Sequence, residues 1–219
     1  MIGVADHCHR VFDNINQAAA RAGRNPNDIT LIAVTKTVPA DAIREAVACG
    51  IKHIGENRLQ EALSKREALQ DLDVTWHFIG HLQTNKAKKV VESFDWVQCV
   101  DRPELAAKLN QAATRTLPVL IEVKLHEEPN KSGMDELHLP EFVSEFNRYP
   151  LLQLRGLMAI PPFFDNPDEV RPYFRKLKQL AERFKLTELS MGMSHDFEVA
   201  IEEGATMVRL GTALFGERA

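Results

Sequence analysis

LIAVTKTVPADAIREAVACGIKHIG, residues 31–55, holds a complete strand–helix–strand unit. The run LIAVT (31–35) is apolar at nearly every position and β-branched in part, as a strand buried on both faces should be. In PADAIREAVACG (39–50) the apolar residues Ile43, Ala46 and Val47 share one helical face, and Gly50 supplies the flexible stop at the C-terminal end. IKHIG (51–55) is a second short strand. The same alternation extends outward in both directions. Upstream, Val4, Val11, Phe12 and Ile15 mark an amphipathic helix within the first 22 residues. Downstream, strands are predicted at 76–80 (WHFIG), 96–100 (WVQCV), 119–124 (VLIEVK), 154–160 (LRGLMAI), 189–193 (LSMGM) and 207–211 (MVRLG).

Helices separate these strands. Asp101 and Glu104 stand at the spacing of a capping box, which places a helix start directly after the fourth strand. Phe174, Leu177, Ala181 and Phe184 share another helical face, with Pro172 expected at or before its first turn because an interior proline costs about 3 kcal/mol. Eight strands separated by helices indicate a parallel sheet covered by helices: a closed (β/α)8 barrel with an extra N-terminal helix. A doubly wound open sheet is the alternative, since periodicity does not report closure. No Pro/Gly/Ser-rich linker or shift in composition divides the chain, so residues 1–219 read as one domain.

Composition narrows the function classes. Lys and Arg number 27 against 31 Asp and Glu, a formal charge of -4, which lacks the basic field of a nucleic-acid binder. With 44% hydrophobic and 26% charged residues the chain is ordinary for a folded soluble protein. No apolar run approaches the roughly 20 residues of a membrane span, and the N-terminus has no secretion pattern, so a cytoplasmic protein is expected. Cys8, Cys49 and Cys99 form no CxxC pair and read as reduced thiols.

In a parallel barrel, chemistry gathers at the C-terminal ends of the strands. Lys36 follows LIAVT directly, where an apolar surround can lower an ammonium pKa and free the amine as a nucleophile for a carbonyl group. The plainer reading is a strand-end lysine reaching solvent. Ser194, Gly211 and Thr212 fall on the loops after the seventh and eighth strands, which commonly hold phosphate in such barrels. Taken singly, Gly211 is also a turn glycine and Ser194 a helix cap.

Six ordered motifs carry a resemblance: VTKT around Lys36, GENRLQE from Gly55, WHFIGHLQTNK from Trp76, KSGM from Lys131, SMGMSHD from Ser190 and VRLGTALFGER from Val208. Over essentially its whole length the sequence resembles the pyridoxal phosphate homeostasis (YggS/PROSC) family. The resemblance implies a barrel like the N-terminal domain of alanine racemase, with pyridoxal 5'-phosphate held as a Schiff base on Lys36. It also implies that Ser194, Gly211 and Thr212 bind the phosphate, that Arg209 faces the pyridine nitrogen, and that Asn57 and Met158 line the cofactor pocket.

A guanidinium beside the ring nitrogen disfavours its protonation, so the cofactor becomes a weaker electron sink. Related racemases compensate with a second base, a tyrosine from another domain and the partner subunit. The only tyrosines here, Tyr149 and Tyr173, stand at no predicted strand mouth. The expectation is therefore a non-catalytic carrier that keeps vitamin B6, amino-acid and keto-acid pools in balance. It is expected to be a monomer meeting apo-enzymes transiently, with no nucleic acid, membrane or metal. A weak or narrow amino-acid racemase is the alternative; an aldolase acting through Lys36 on a phosphorylated sugar is a more distant one.

Other clusters read more plainly. His77 and His81 have HxxxH spacing but straddle a strand end and a loop, and His7, Cys8 and His9 point different ways on a helix. Lys86, Lys88 and Lys89 read as a solvated helix face. The segment from Glu127 to Met134, with Lys131, and the segment IPPFFDNPD, with Phe163, read as rim loops of unassigned role.

Overall fold

The computed structural model describes residues 3–126 and 132–217. Among them, eight parallel strands close into a barrel: β1 (Thr30–Val34), β2 (His53–Glu56), β3 (Thr75–Phe78), β4 (Trp96–Val100), β5 (Leu117–Lys124), β7 (Leu152–Met158), β8 (Glu188–Ser190) and β9 (Met207–Leu210). β4 pairs with β5 and β1 with β9, so no edge remains. The two-residue β6 (Met134–Asp135) lies outside the ring against the end of β5.

Around the barrel run α1 (Val4–Arg21), α2 (Ala40–Ala48), α3 (Leu59–Ala68), α4 (Ala87–Ser93), α5 (Pro103–Ala112), α6 (Leu139–Ser144), α7 (Arg171–Arg183), α8 (Phe197–Glu202) and α9 (Thr212–Phe215). Their apolar faces cover the outside of the strands in one continuous core. α1 buries Cys8, Val11, Ile15, Ala18 and Ala19. The expected extra helix therefore covers the barrel from outside. Inside the ring, Ile32, Leu120, Met158 and Met207 form a separate apolar layer with Trp96 packed on it.

The (β/α)8 reading holds, with β4 at its expected limits and the other strands' limits shifted by up to three residues. Of two local expectations, the first holds and the second does not. Pro172 is at the second position of α7, as its missing N–H requires. No capping box forms at α5: Arg102 is the N-cap and Pro103 the first helical residue, which puts Glu104 one position too early to reach back. Asp101 pairs instead with the Arg102 guanidinium.

Among the described residues, no helix is long and apolar enough to cross a membrane. His7 and Cys8 diverge as expected, the His7 ring lying against the Leu214 carbonyl while Cys8 is buried. Lys86, Lys88 and Lys89 are exposed.

Candidate functional site

A cavity of about 480 Å³ opens at the C-terminal mouth of the barrel. Six of the seven residues named from the sequence line it: Lys36, Asn57, Ser194, Arg209, Gly211 and Thr212. Met158 does not. Its side chain is fully buried in the apolar layer below, with Ile32 and Leu120. Lys131 lies outside the described residues.

Lys36 is half-buried just past the end of β1, and the backbone on both sides of it is held from α3. Lys65 donates from Nζ to the Thr35 carbonyl at 2.5 Å, to Glu56 Oε1 at 2.7 Å and to Glu61 Oε1 at 2.6 Å. The Thr35 hydroxyl donates to Glu56 Oε1 at 2.6 Å, and the Thr37 N–H donates to Glu61 Oε1. Thr37 sits at φ 63, a region that a β-branched residue enters only under constraint. The carboxylate of Glu61 and the ammonium of Lys65 supply that constraint, and so fix where the neighbouring lysine leaves the chain. Glu56 is fully buried, and burial raises its carboxyl pKa despite Lys65 and Thr35.

Across the cavity, the loop after β8 turns at Gly192 (φ 91), where a Cβ would stand 2.5 Å from the Ala200 methyl. That close approach seats Ser194 against the last turn. Its Oγ accepts from the Gly211 N–H at 3.2 Å and the Ala213 N–H at 3.1 Å. A serine oxygen has two acceptor positions and one proton. With both acceptor positions used, the hydroxyl keeps one proton to donate.

Arg209 occupies the inner wall and is 4% exposed. Its Nη1 donates to Ser190 Oγ at 2.6 Å and its Nη2 to the Ala159 carbonyl at 3.0 Å. Burial lowers its pKa to about 10, opposed by Glu122 and Asp196, so it remains a cation at neutral pH. Burial likewise raises the carboxyl pKa values of Glu122 and Asp196. Asn57 presents a buried Oδ1 with no hydrogen-bond partner. Gly80 covers it so closely that a Cβ there would meet the Asn57 backbone at 2.3 Å.

Sequence reasoning missed Glu122, His81, Ser132, Met193 and His195 in the lining. Glu122 had a signal, as the single charge inside the apolar run 119–123. His77 and His81, paired by spacing, part company. His77 is buried inside the barrel, and His81 is at the rim 3.9 Å from Asp101. Phe163 is 71% exposed beside the His195 ring, with centroids 4.9 Å apart, on the rim as read. A second cleft of about 480 Å³ lies among α1, α7 and α8. Two of its arginines are paired with acids, Arg21 with Glu198 and Glu202 and Arg171 with Asp168, Glu202 and Glu203.

A lysine, a serine hydroxyl that accepts from two backbone N–H groups and a buried arginine thus face one cavity at the mouth of a closed parallel barrel, and the comparison with known families gives the class of protein. The model of the family "Alanine racemase, N-terminal domain" matches residues 7–219. Alanine racemase of Corynebacterium glutamicum superposes with a TM-score of 0.71 over 96% of this chain and 61% of its own, at 19% identity, a likeness of fold alone. The chain is 47% identical to the pyridoxal phosphate homeostasis protein of Aquifex aeolicus, across 99% of both chains. It also matches the structure of PipY from Synechococcus elongatus with PLP bound, at 41% identity and a TM-score of 0.83, over 93% of this chain and 100% of that one. The chain belongs to the pyridoxal phosphate homeostasis protein family.

Proposed function

We propose that the chain binds pyridoxal 5'-phosphate in the mouth cavity, with the Lys36 amine as covalent anchor, and serves as a cytoplasmic carrier that keeps vitamin B6, amino-acid and keto-acid pools in balance. The observation that carries this reading is the convergence of Lys36, the Ser194–Gly211–Thr212 cradle and Arg209 on one cavity. The bound group supplies an aldehyde that condenses reversibly with a primary amine as a Schiff base. The residues fit it. Ser194 offers a proton to a phosphate oxygen, with Gly211 and Thr212 lining the same corner. The unpartnered Asn57 Oδ1 is a polar atom that a ligand can satisfy. With the group bound, Arg209 would offer a donor-only cation to the ring nitrogen and so disfavour its protonation.

The tyrosines favour carriage over racemisation. Tyr149 is buried with its hydroxyl 3.4 Å from the Pro103 carbonyl, and Tyr173 packs near His126 and Phe164; neither lines the cavity. A monomer that hands the cofactor to apo-enzymes in transient contact accords with this.

The test is borohydride reduction of the cofactor-supplied protein followed by peptide mass spectrometry. A reduced pyridoxyl adduct on Lys36 is expected, together with transfer of unreduced cofactor to an apo-enzyme. A folded protein in excess cofactor with no adduct at Lys36 overturns the anchor. Lys36-dependent deuterium exchange at an amino-acid α-carbon in heavy water would overturn the non-catalytic assignment.

A further inference from the structure

Arg209 is not held by the cavity alone. Behind it a single file of hydrogen bonds crosses the barrel interior, through residues that the cofactor reading leaves without a role. Arg209 Nη1 donates to Ser190 Oγ at 2.6 Å, and the Ser190 hydroxyl donates to Gln98 Oε1 at 2.7 Å. Gln98 Nε2 is 3.0 Å from His77 Nδ1, and His77 Nε2 is 3.0 Å from His53 Nδ1. Ser190, Gln98 and His77 are completely buried, whereas His53 is half-buried. His53 opens on a separate cleft of about 340 Å³ beneath α1, at the N-terminal end of the strands.

We propose that Ser190, Gln98, His77 and His53 form a one-directional hydrogen-bond relay that positions the Arg209 guanidinium and couples the floor of the barrel to the mouth cavity. The direction follows from donor and acceptor chemistry. A guanidinium only donates, so Ser190 Oγ accepts from it, and its own proton goes onward to Gln98 Oε1 in the amide orientation that also turns Nε2 toward the Met207 sulfur. The Gln98 amide then presents its NH2 group to His77, whose Nδ1 must accept. His77 is therefore the Nε2–H tautomer and donates to His53 Nδ1, which leaves the His53 proton on its own Nε2. Each buried polar atom in the file has one consistent partner, and the Met207 sulfur, 3.5 Å from Gln98 Nε2, also faces the amide donor side.

Both imidazoles are consequently neutral. Burial, with His53 adding to it, lowers the His77 pKa to about 3, and burial with the nearby Lys52 charge lowers that of His53. The other walls of the lower cleft are uncharged, with Phe12, Ile15 and Asn16 on α1 and Asn27 on the turn before β1. Placing a proton on His53 Nδ1 would require His77 to accept there, Gln98 to turn over and lose its contact with the Met207 sulfur, and the Ser190 proton to find a new acceptor. Ser190, Gln98 and His77 are thus positioning residues, and a change at the floor reaches Arg209 only through them. The part of this inference that concerns the cofactor rests on the function proposed above; the direction of the relay does not.

The first measurement uses the unsubstituted full chain without added cofactor. Nitrogen NMR of labelled histidine is expected to show His77 and His53 as neutral Nε2–H tautomers, with His77 favouring that form by about tenfold or more. His77 with its proton on Nδ1, or an equal mixture, overturns the relay. In Ser190→Ala, three links away from His53, His77 should become a mixture of tautomers while circular dichroism stays native. An unchanged tautomer in the folded variant also overturns it. With pyridoxal phosphate supplied, Ser190→Ala and Gln98→Met should each shift the absorption maximum of bound cofactor; no shift removes the coupling to the cavity. If wild-type protein shows the expected tautomers but binds no cofactor, the proposed function fails and the relay stands.

Discussion

Glu122 shares the cavity with Arg209, and burial governs its charge. Its carboxyl pKa is raised by desolvation and by Asp101, while Ser132 and Arg209 pull it down. The folded state thus favours the protonated form more than the unfolded chain does. Its stabilising contribution is complete below the unfolded carboxylate value of about 4.3 and is lost as pH rises through the higher folded value. Glu122→Gln keeps the shape and removes the titration. The variant should lose less thermal stability than wild type between about pH 4 and about pH 8, and equal losses would show that Glu122 ionises without cost. Ser194 makes a sharper test of the cradle. Ser194→Ala leaves the Gly211 and Ala213 N–H groups without their acceptor and removes the outward proton. Cofactor affinity, followed by absorbance titration, should fall about tenfold with about 1 kcal/mol of stability. Unchanged affinity would place the phosphate elsewhere.

At the scale of elements, α3 and the end of β1 act as one unit. Lys65 is 11% exposed and Glu56 fully buried, so their pair is a desolvated ion pair rather than a surface bridge. Removing one partner of such a pair strands the other, at about 3–5 kcal/mol. Lys65→Met should therefore reduce stability by about that much in urea denaturation and loosen the seat of Lys36, slowing its capture of cofactor. The double variant Lys65→Met with Glu56→Gln should recover part of the stability, because no buried charge is left alone. A double variant no more stable than the single one would refute this account. α3 was illegible in the sequence for a physical reason. It buries only Ala62, so it carries almost no apolar stripe, and what fixes it is the Glu61–Lys65 pair reaching the neighbouring strand end. β1, α2 and β2 were readable because their burial is regular: Ile43 and Ala46 are buried in α2, and Leu31, Ile32 and Ala33 in β1.

At the scale of the whole molecule, closure divides the strand residues between two cores. Side chains pointing outward meet helices; those pointing inward meet one another. Met158 points inward, into the layer with Ile32, Leu120 and Met207. Met158→Ala should leave a cavity there and lower stability by about 2–5 kcal/mol in chemical denaturation, while cofactor affinity stays close to that of wild type. A collapse of affinity with little change in stability would instead assign Met158 to the cofactor pocket, as the family resemblance implied.

The sequence by itself determined the alternation of eight strands with helices, because burial on both faces of a parallel strand and on one face of a helix leaves a periodic trace. It also placed Lys36, Ser194, Gly211 and Thr212 at strand ends, and six motifs added Asn57 and Arg209 through the family resemblance. Closure, the seat of Lys36 on α3, and the file from Arg209 to His53 were decided only by the tertiary structure. Gln98 lies 92 residues from its partner Ser190, and Arg209 lies 50 from the Ala159 carbonyl it bonds. Contacts at that separation leave no period along the chain; they exist once the ring has closed and turned those side chains toward a common axis.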